Sequence, residues 1–330
     1  MSDESPALRE NRHCVTRQSS AVTEVLTYGN ARMPSTPIRL KTLLGEHPTT
    51  LALKRGEIAS RSVALDIADI PQAYVAFKRV VRDLEFDVAE LAIVTYLMAK
   101  AHGKPYVLLP VVVLSRFQHP FLVYNATRGE LRPGDLKGRR VGIRSYSVTT
   151  TMWLRGMLAN DYGLDINSVR WVTSEEAHVA EFKDPPSVEH APAGRDMLAM
   201  LLDGELDALV LGDKTLKDPR LKRLIPDPDQ AAKDWHARHR AIQINHMVVV
   251  KDAVSKSSPD AVREVYRMLR EAKRLAPPPA PGELDMTPIG LEANRRNLEV
   301  AIDYVHQQRL IPKRYTVDEL FDDVTRNLDR

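Results

Sequence analysis

A single cysteine, Cys14, occurs among the 330 residues, so no disulfide can form within the chain and a cysteine-based metal site is excluded. Long apolar runs are also missing: the stretch from Val107 to Leu114 is among the longest and falls far short of the roughly 20 residues that span a bilayer. Positive and negative side chains nearly balance, with 47 Lys and Arg against 44 Asp and Glu. That balance offers no strong field for nucleic acid or an anionic membrane. We therefore expect neither a membrane protein nor a nucleic-acid partner.

The first 36 residues lack a sustained hydrophobic period, which predicts a disordered arm over residues 1–36. This stretch mixes acidic, basic and polar residues and lacks the apolar core of a secretory signal peptide, so the expected location is the cytoplasm. Met33, near its end, is a second candidate for the first residue of the protein.

Beyond the arm, strand-like and helix-like stretches alternate along the chain. Residues 38–44, IRLKTLL, alternate basic and apolar side chains as a strand does, and residues 71–86 carry apolar side chains at helical spacing. The alternation continues to the end, where three helices are predicted over residues 259–276, 293–310 and 317–328. Such units predict an α/β fold with mostly parallel sheets covered by helices.

A late strand, INHMVVV at residues 244–250, follows a self-contained α/β block and predicts how two lobes are connected. We expect lobe I to comprise residues 37–130 plus 245–330, and lobe II to comprise residues 131–244. Length agrees with two cores, since a single core rarely grows beyond about 250 residues. The ligand cleft would lie between the lobes, at the carboxyl ends of the strands.

Six long stretches carry a resemblance to a known family: FDVAELAIVTYLMAKAHGKP, LSRFQHPFLVYN, GRRVGIRSYSVTTTMWLRGMLANDYG, VRWVTSEEAHVAEF, LLDGELDALVLG and INHMVVV. They resemble the 4,5-dihydroxyphthalate decarboxylase family, which shares the type 2 periplasmic-binding-protein fold with the solute receptors of ABC transporters. The resemblance implies a two-lobed α/β protein with an interlobe cleft. It also implies a carboxy-lyase of aromatic-compound catabolism that converts 4,5-dihydroxyphthalate to protocatechuate and CO2, with no organic cofactor.

The exact ring acid stays open, because paralogues with other ring substrates are expected. A solute receptor that binds an aromatic carboxylate without catalysis is the alternative from another class. A third hypothesis is a related enzyme of the same fold that acts by dehydration or by another carbon–carbon cleavage. Several titratable residues cluster where a receptor needs only hydrogen-bond donors, which favours the enzyme. The sequence is compatible with a homo-oligomer and does not fix the number of subunits.

The best candidate for an anion site is the turn RSYSVTTT, which joins a strand to the start of a helix. Unpaired N–H groups and the helix dipole favour an anion there, and hydroxyl groups add donors. The expected guest is a substrate carboxylate, and the expected contacts are Arg144, Ser145, Tyr146, Thr149, Thr150 and Thr151. In the alternative, Ser147 or Thr149 simply caps the helix. Because a phthalate has two carboxylates, a second cation is expected, and Arg116 is the candidate.

Three histidines from separate segments, His47, His119 and His246, are expected to converge on the cleft with Glu90. In one reading, a histidine removes the proton of a ring hydroxyl and a second group protonates the ring carbon before CO2 leaves. In another, the histidines and Glu46 or Glu90 bind a divalent cation that takes the catecholic oxygens. Hydrogen-bonded structural histidines are the third reading.

Glu90 follows a buried strand-like run, and a carboxyl group in a cleft has its pKa raised and can donate a proton. Its alternative role is a charge at the start of the next helix. Asp213 holds the corresponding place in the second lobe and is a weaker candidate. The run around His178, with its neighbouring glutamates, is predicted to be a solvated surface, whereas Met152, Trp153 and Met157 are predicted to be core.

Overall fold

A computed structural model describes residues 36–212 and 216–329, so the predicted arm up to residue 35, with Cys14 and Met33, and also Asp213 lie outside the described residues. The described strands are β1 (Ile38–Leu43), β2 (Val63–Ile67), β3 (Val88–Ala92), β4 (Tyr106–Ser115), β5 (Leu122–Asn125), β6 (Arg140–Ile143), β7 (Arg170–Thr173), β8 (Glu189–His190), β9 (Ala208–Val210), β10 (Leu221–Arg223) and β11 (Ile244–Lys251). The described α-helices are α1 (Leu51–Lys54), α2 (Phe77–Asp83), α3 (Ile93–Ala101), α4 (Thr149–Asn160), α5 (Met197–Asp203), α6 (Pro228–His239), α7 (Asp252–Ser257), α8 (Pro259–Leu275) and α9 (Leu291–Gln307).

Two sheets organise these elements. Lobe I contains a five-stranded sheet in the order β2-β1-β3-β11-β4, and lobe II contains a six-stranded sheet in the order β10-β5-β9-β6-β7-β8. In each sheet a single described strand opposes the others: β11 is antiparallel to β3 and β4, and β5 is antiparallel to β9 and β10. The α/β class is therefore confirmed, but both sheets are mixed rather than parallel throughout.

The two opposing strands are those that the chain enters when it crosses from one lobe to the other. A strand reached through a crossover helix returns parallel to its neighbour, whereas a strand reached from the other lobe has no such constraint. The first crossing runs from β4 to β5, so β5 belongs to the sheet of lobe II, although the predicted boundary falls after residue 130. The second crossing runs from α6 to β11.

Hydrogen bonds hold the two crossings side by side. The backbone N–H of Gln118 donates 2.7 Å to the side-chain oxygen of Gln243, and the Gln118 side chain donates 2.9 Å to Asn245. All three residues are buried, so these bonds satisfy polar groups that water does not reach. The crossings therefore form one hydrogen-bonded hinge.

Strand β4 passes through Pro110, which the sequence suggested would bend the segment. A proline cannot donate to a ladder, and it is tolerated here because β4 is at the edge of its sheet and its pairing with β11 is irregular. The Pro110 carbonyl still accepts a 2.8 Å bond from the N–H of Gly290. The expected second strand follows as β5.

The core under α4 is aromatic. Trp153 packs edge-on against Trp235 and Tyr304, and its indole N–H donates 2.8 Å to the carbonyl of Ile244. Met152 and Met157 are also buried, which confirms the prediction that this helix face is core. Gly156 allows the close approach of α9, because a Cβ at this position would overlap the Tyr304 ring.

The C-terminal segment differs from its prediction. In place of a helix over residues 317–328, the chain forms 3₁₀ turns at Asp318–Leu320 and Thr325–Asn327. The side chain of Asp322 accepts a 2.8 Å bond from the N–H of Thr325, and such local bonds compete with a helix. Among the described residues, no helix combines the length and the apolar character needed to cross a membrane.

Candidate active site

Three neighbouring strands of lobe I bring one carboxylate and two imidazoles together. Glu90 is in the middle of β3, which lies between β1 and β11 in the sheet. His47 is on the loop after β1, and His246 is on β11, where it lies opposite Ala92. The order β1-β3-β11 therefore places both histidines beside Glu90, although the three residues are far apart in sequence.

The Glu90 carboxylate accepts hydrogen bonds at both oxygens. Oε1 lies 2.8 Å from Nε2 of His47 and 2.7 Å from Nδ1 of His246, and Oε2 accepts a 2.7 Å bond from the backbone N–H of Gly45. An ionised carboxylate only accepts, so each histidine presents a protonated nitrogen to it. The opposite nitrogens, Nδ1 of His47 and Nε2 of His246, are left for a ligand.

Burial and hydrogen bonding act in opposite directions on Glu90, whose side chain is 1% exposed. Burial alone would raise the pKa of Glu90, but the hydrogen bonds from His246 and His47 outweigh it and hold the pKa well below the usual range. The prediction that Glu90 has a raised pKa and donates a proton is therefore wrong. Glu90 is ionised and orients the two rings, whose side chains are 18% and 13% exposed for His47 and His246.

The same three side chains form a candidate cation site. The ligand atoms of His47, Glu90 and His246 all lie within 4.8 Å of one another, a grouping that the described residues show only here. Two imidazoles and one carboxylate are ligands that divalent transition metals and zinc accept. Glu46 is outside this group: its carboxylate is half-exposed and lies 3.8 Å from Nζ of Lys54.

His119 does not converge with the other two histidines. It begins a 3₁₀ turn and lines a cavity of about 550 Å³ with Asn160 and Asp161, at the carboxyl end of α4. Helix α4 has 12 residues and is therefore about 18 Å long, so this cavity is far from the turn at its amino end. Burial lowers the pKa of His119 to about 4, against the opposing effect of Asp161, so the ring is neutral. Its Nδ1 is buried with no hydrogen-bond partner in the described part of the chain.

Arg144, at the start of the predicted anion turn, faces lobe I across the cleft. Its guanidinium carbon lies 5.5 Å from the centre of the Tyr74 ring, and its Nε lies 3.8 Å from Glu175. Tyr74 belongs to the 3₁₀ turn whose Ala73 backbone lies beside Gly45. Arg144 therefore approaches the part of lobe I that carries His47.

Behind Arg144, the turn holds several donors that other groups do not satisfy. The hydroxyl groups of Ser145, Thr149 and Thr151 are buried and have no hydrogen-bond partner among residues 36–212 and 216–329. Helix α4 starts at Thr149 with Val148 as its N-cap, and no side chain in the described structure caps it. The alternative in which Ser147 or Thr149 caps the helix is therefore wrong. Thr150, the next residue, is partly exposed.

Tyr146 lies under a buried guanidinium and not in the open cleft. Arg155 stacks on the Tyr146 ring at 3.5 Å from its centre, and its Nε donates 2.8 Å to Gln308. Nη1 and Nη2 of Arg155 lack partners within the described residues, and burial lowers the pKa of this guanidinium to about 10. Arg155 was not predicted from the sequence, because an arginine within a helix is normally solvated.

Arg116 follows β4 and packs on lobe II. Its guanidinium carbon lies 4.1 Å from the centre of the Phe121 ring, and Nη1 donates 3.3 Å to the carbonyl of Gly212. Gly212 follows β9. Arg116 therefore links the first crossing to the carboxyl end of a lobe II strand.

His178 is the main residue that sequence reasoning assigned wrongly. The predicted solvated surface is in fact packed, because Ala177, His178 and Val179 are all buried. The His178 ring meets Phe77 edge-on at 5.7 Å between ring centres, and Phe77 meets His246 in the same way at 5.0 Å. The acidic residues of this run suggested exposure to solvent, so the contact was not predicted. A signal was the apolar pair that flanks the histidine, Ala177 and Val179.

No protein-family model matches the chain, but solved structures share its fold. The periplasmic aliphatic sulphonate binding protein SsuA from Escherichia coli matches 88% of this chain and 92% of its own, with a TM-score of 0.56 and 14% identity. The alkanesulfonate-binding protein SsuA from Xanthomonas axonopodis pv. citri matches 88% of this chain and 99% of its own, with a TM-score of 0.52 and 14% identity. The chain thus has the two-lobed periplasmic-binding-protein fold that its sequence predicted.

Two curated relatives define the family. The 4,5-dihydroxyphthalate decarboxylase of Comamonas testosteroni is 30% identical over 213 residues, which cover 61% of this chain and 64% of the relative. The 4,5-dihydroxyphthalate decarboxylase of Pseudomonas putida is 34% identical over 173 residues, which cover 48% of this chain and 67% of the relative. The chain belongs to the 4,5-dihydroxyphthalate decarboxylase family. The match spans just under two thirds of the Comamonas relative.

Proposed function

We propose that the protein is a carboxy-lyase that removes CO2 from an aromatic dicarboxylate without oxidation, most simply 4,5-dihydroxyphthalate to protocatechuate. The observation that carries this proposal is the ionised Glu90 that holds both His47 and His246 in fixed orientation. The names of the two relatives support the same reaction. The cytoplasmic location and the lack of an organic cofactor stay predictions.

Decarboxylation of a hydroxylated ring needs one base and one acid. The base takes the proton of the hydroxyl para to the departing carboxylate, and the electron pair moves through the ring to the carbon that bears this carboxylate. That carbon forms a bond to a proton from the acid. The bond to the carboxylate then breaks, its electron pair restores the aromatic ring, and CO2 leaves. The base returns its proton to the ring oxygen, so one proton is taken from solvent per CO2.

The two imidazoles fit the two roles. Each presents one nitrogen to Glu90, and its other nitrogen has no hydrogen-bond partner among the described residues, so each can accept or donate a proton there. We assign His246 as the acid, because it contacts the Phe77 ring, which also contacts His178 of lobe II, the lobe where the carboxylates would be held. His47 is then the base for the hydroxyl. Glu90 stabilises whichever ring is charged.

Lobe II supplies the groups that hold the diacid. Arg144 is the cation that reaches Tyr74 of lobe I across the cleft, and a guanidinium can bind a carboxylate through two parallel hydrogen bonds. The unpaired N–H groups at the start of α4 and the hydroxyls of Ser145 and Thr149 add donors. Arg116 is the second cation, on the other side of the first crossing.

A divalent cation is a second way to use the same three ligands, favoured by their mutual distance of less than 4.8 Å. A bound cation would take the adjacent ring oxygens and lower the pKa of the hydroxyl groups. The direct hydrogen bonds of 2.7 and 2.8 Å between Glu90 and the histidines favour proton transfer by the imidazoles themselves. A receptor function needs no such orientation of basic groups by a buried carboxylate.

The purified protein should release CO2 and protocatechuate from 4,5-dihydroxyphthalate, before and after treatment with a chelator. Turnover that survives chelation supports the imidazole mechanism. Turnover that is lost and returns with a single divalent metal supports the cation at His47, Glu90 and His246. Tight binding of the diacid with no CO2 under either condition contradicts the enzyme and supports a receptor.

A further inference from the structure

His178 lies on a stretch of lobe II that docks against lobe I. This stretch, Ser174–Phe182, follows β7 and is called the docking segment here. Arg82 of α2 donates to the segment's backbone, with 2.7 Å to the carbonyl of Ala177 and 2.8 Å to the carbonyl of His178. The backbone of His178 is therefore fixed by a cation from the opposite lobe.

Two ion pairs extend this contact on either side of His178. Nζ of Lys78 lies 3.0 Å from Glu176, and Nζ of Lys104 lies 2.6 Å from Glu181. Both lysines belong to lobe I and both glutamates to the docking segment. The pairs are partly exposed, so each adds little stability by itself, but together they set the register of the segment against lobe I.

The side chain of His178 enters the space beside the candidate acid. The residue is 7% exposed, and its ring meets Phe77, which also meets the His246 ring. The docking segment is also joined to Arg144, whose carbonyl accepts bonds of 3.2 and 2.8 Å from the N–H groups of Ser174 and Glu175. Phe77 therefore connects the docked His178 to His246 through two ring contacts.

Thr95 on α3 sets the tautomer of His178. The Thr95 hydroxyl lies 2.8 Å from Nδ1 of His178 and has no other hydrogen-bond partner in the described residues, so its proton is best placed on this bond. The ring's own proton is then on Nε2, which has no partner within the same described part of the chain. Burial and the nearby cations lower the pKa of His178 to about 3, so the ring is neutral near pH 7.

We propose that His178 contacts the substrate of the decarboxylation proposed above, and that its uncharged Nε2–H donates a hydrogen bond to the carboxylate that departs as CO2. Arg144 holds the carboxylate that is retained. The two carboxylates of an ortho-diacid are adjacent, and the docking segment that carries His178 is hydrogen-bonded to the backbone of Arg144.

The charge of the donor matters for the reaction. The departing carboxylate loses its negative charge as CO2 forms, so a cation bound to it would stabilise the ground state more than the transition state. An uncharged donor positions the group without that penalty. His178 thus orients the group that leaves, beside the imidazole that protonates the ring carbon.

Two variants of His178 distinguish the contribution of the N–H donor from that of the aromatic ring. His178→Gln places an amide N–H near the position of Nε2, whereas His178→Phe keeps a ring and removes the donor. We expect His178→Phe to lower kcat about tenfold, the order of one uncharged hydrogen bond, and His178→Gln to retain most of the activity. Thr95→Val releases the tautomer and should lower kcat by a smaller factor. The pH profile of kcat/KM should keep its shape in all three variants, because an uncharged donor does not titrate in the working range.

If His178→Phe turns over as fast as the wild type, or if His178→Gln and His178→Phe lose activity equally, the assignment of His178 as a hydrogen-bond donor is overturned. The decarboxylase proposal stands in either case. A loss of one limb of the pH profile would also overturn the assignment, because His178 would then transfer a proton.

A binding measurement keeps the inference testable if a variant fails to fold or if the wild type releases no CO2. Phthalate, which lacks the ring hydroxyls and cannot react in the same way, serves as the probe. Nitrogen NMR of the histidine-labelled wild-type protein should show His178 with its proton on Nε2, and this signal should shift when phthalate is added. An unchanged His178 signal at saturating phthalate would overturn the contact. A shift without any turnover would support it and contradict the proposed function alone.

Discussion

The Nδ1 atom of His246 donates a 2.7 Å hydrogen bond to Oε1 of Glu90, across 156 positions of the sequence. The bond forms because β11 pairs with β3 in a register that places His246 opposite Ala92 and Val248 opposite Glu90. His47 donates to the same oxygen from the loop after β1, the other strand beside β3 in the sheet. One buried carboxylate therefore orients two imidazoles, and the proposed chemistry depends on their free nitrogens.

Variants that keep the bonds to Glu90 and remove the free nitrogens test this dependence. His246→Asn retains a donor near the position of Nδ1, and His47→Gln retains one near Nε2, so both preserve the bonds to Glu90. Each should lower kcat by about 10²–10⁴, the usual contribution of a general acid or base, with little change in the melting temperature. Steady-state kinetics beside thermal unfolding checks this. Unchanged kcat in either variant would remove that histidine from the mechanism.

A substitution at Gly45 tests how accurately Glu90 and His47 must be placed. A Cβ at Gly45 would lie 3.0 Å from both Oε2 of Glu90 and Nε2 of His47, so Gly45→Ala should displace this pair by a few tenths of an ångström. We expect kcat/KM to fall roughly tenfold, because small displacements of reacting groups are costly. Gly134→Ala is the matched control, since no atom lies within 4 Å of its Cβ. Equal activity of the two variants would contradict the required placement.

Because His119 is buried and neutral, we predict that it makes the free energy of unfolding depend on pH under acidic conditions. Its pKa is about 4 when folded and near 6.5 when unfolded, so the unfolded chain binds a proton first as the pH falls. The wild type should lose stability between about pH 6.5 and pH 4, by on the order of 3 kcal/mol at most. His119→Leu should remove this component and be the more stable protein near pH 4. Denaturant unfolding at pH 8 and at pH 4.5 measures the difference, and parallel curves for both proteins would contradict it.

A substitution of Arg82 tests how the contact between the docking segment and lobe I affects the site. Arg82→Met removes both hydrogen bonds to the docking segment and the 3.0 Å contact with Glu176. Hydrogen exchange at the amides of this segment should become faster, and KM should rise. Arg79→Met in the same helix is the control, because Arg79 pairs with Glu85 on the surface of lobe I. Equal exchange rates in the two variants would show that Arg82 does not hold the segment.

The sequence predicted which elements exist better than how they are arranged. Apolar runs such as residues 244–250 and the helical period of residues 259–276 correspond to β11 and α8. Strand direction was missed at β5 and β11, because the burial pattern of a strand is the same whichever way the strand runs. The helix predicted over residues 317–328 failed because Asp322 and Thr325 bond locally, an effect that apolar spacing does not record.

At the site, reasoning from position along the chain brought His47, Glu90 and His246 together, although Glu90 lies in the middle of β3 and not at its end. The same reasoning failed for His119, because the chain leaves lobe I just before it and carries it to the far end of α4. The direction of the Glu90 pKa was also missed. Burial was foreseen, but the two imidazole donors that reverse its effect exist only once β1, β3 and β11 are adjacent.

The reaction run in heavy water tests the central claim most directly. Wild-type protein and Glu90→Gln, which keeps the shape of the side chain and removes its charge, would be incubated with 4,5-dihydroxyphthalate, and CO2 and the ring protons of the product would be measured. We predict that the wild type releases one CO2 for each protocatechuate, with deuterium at the vacated ring carbon, and that Glu90→Gln is slower by about 10² or more. A wild-type protein that binds the diacid and releases no CO2, or a Glu90→Gln variant as fast as the wild type, would contradict the account.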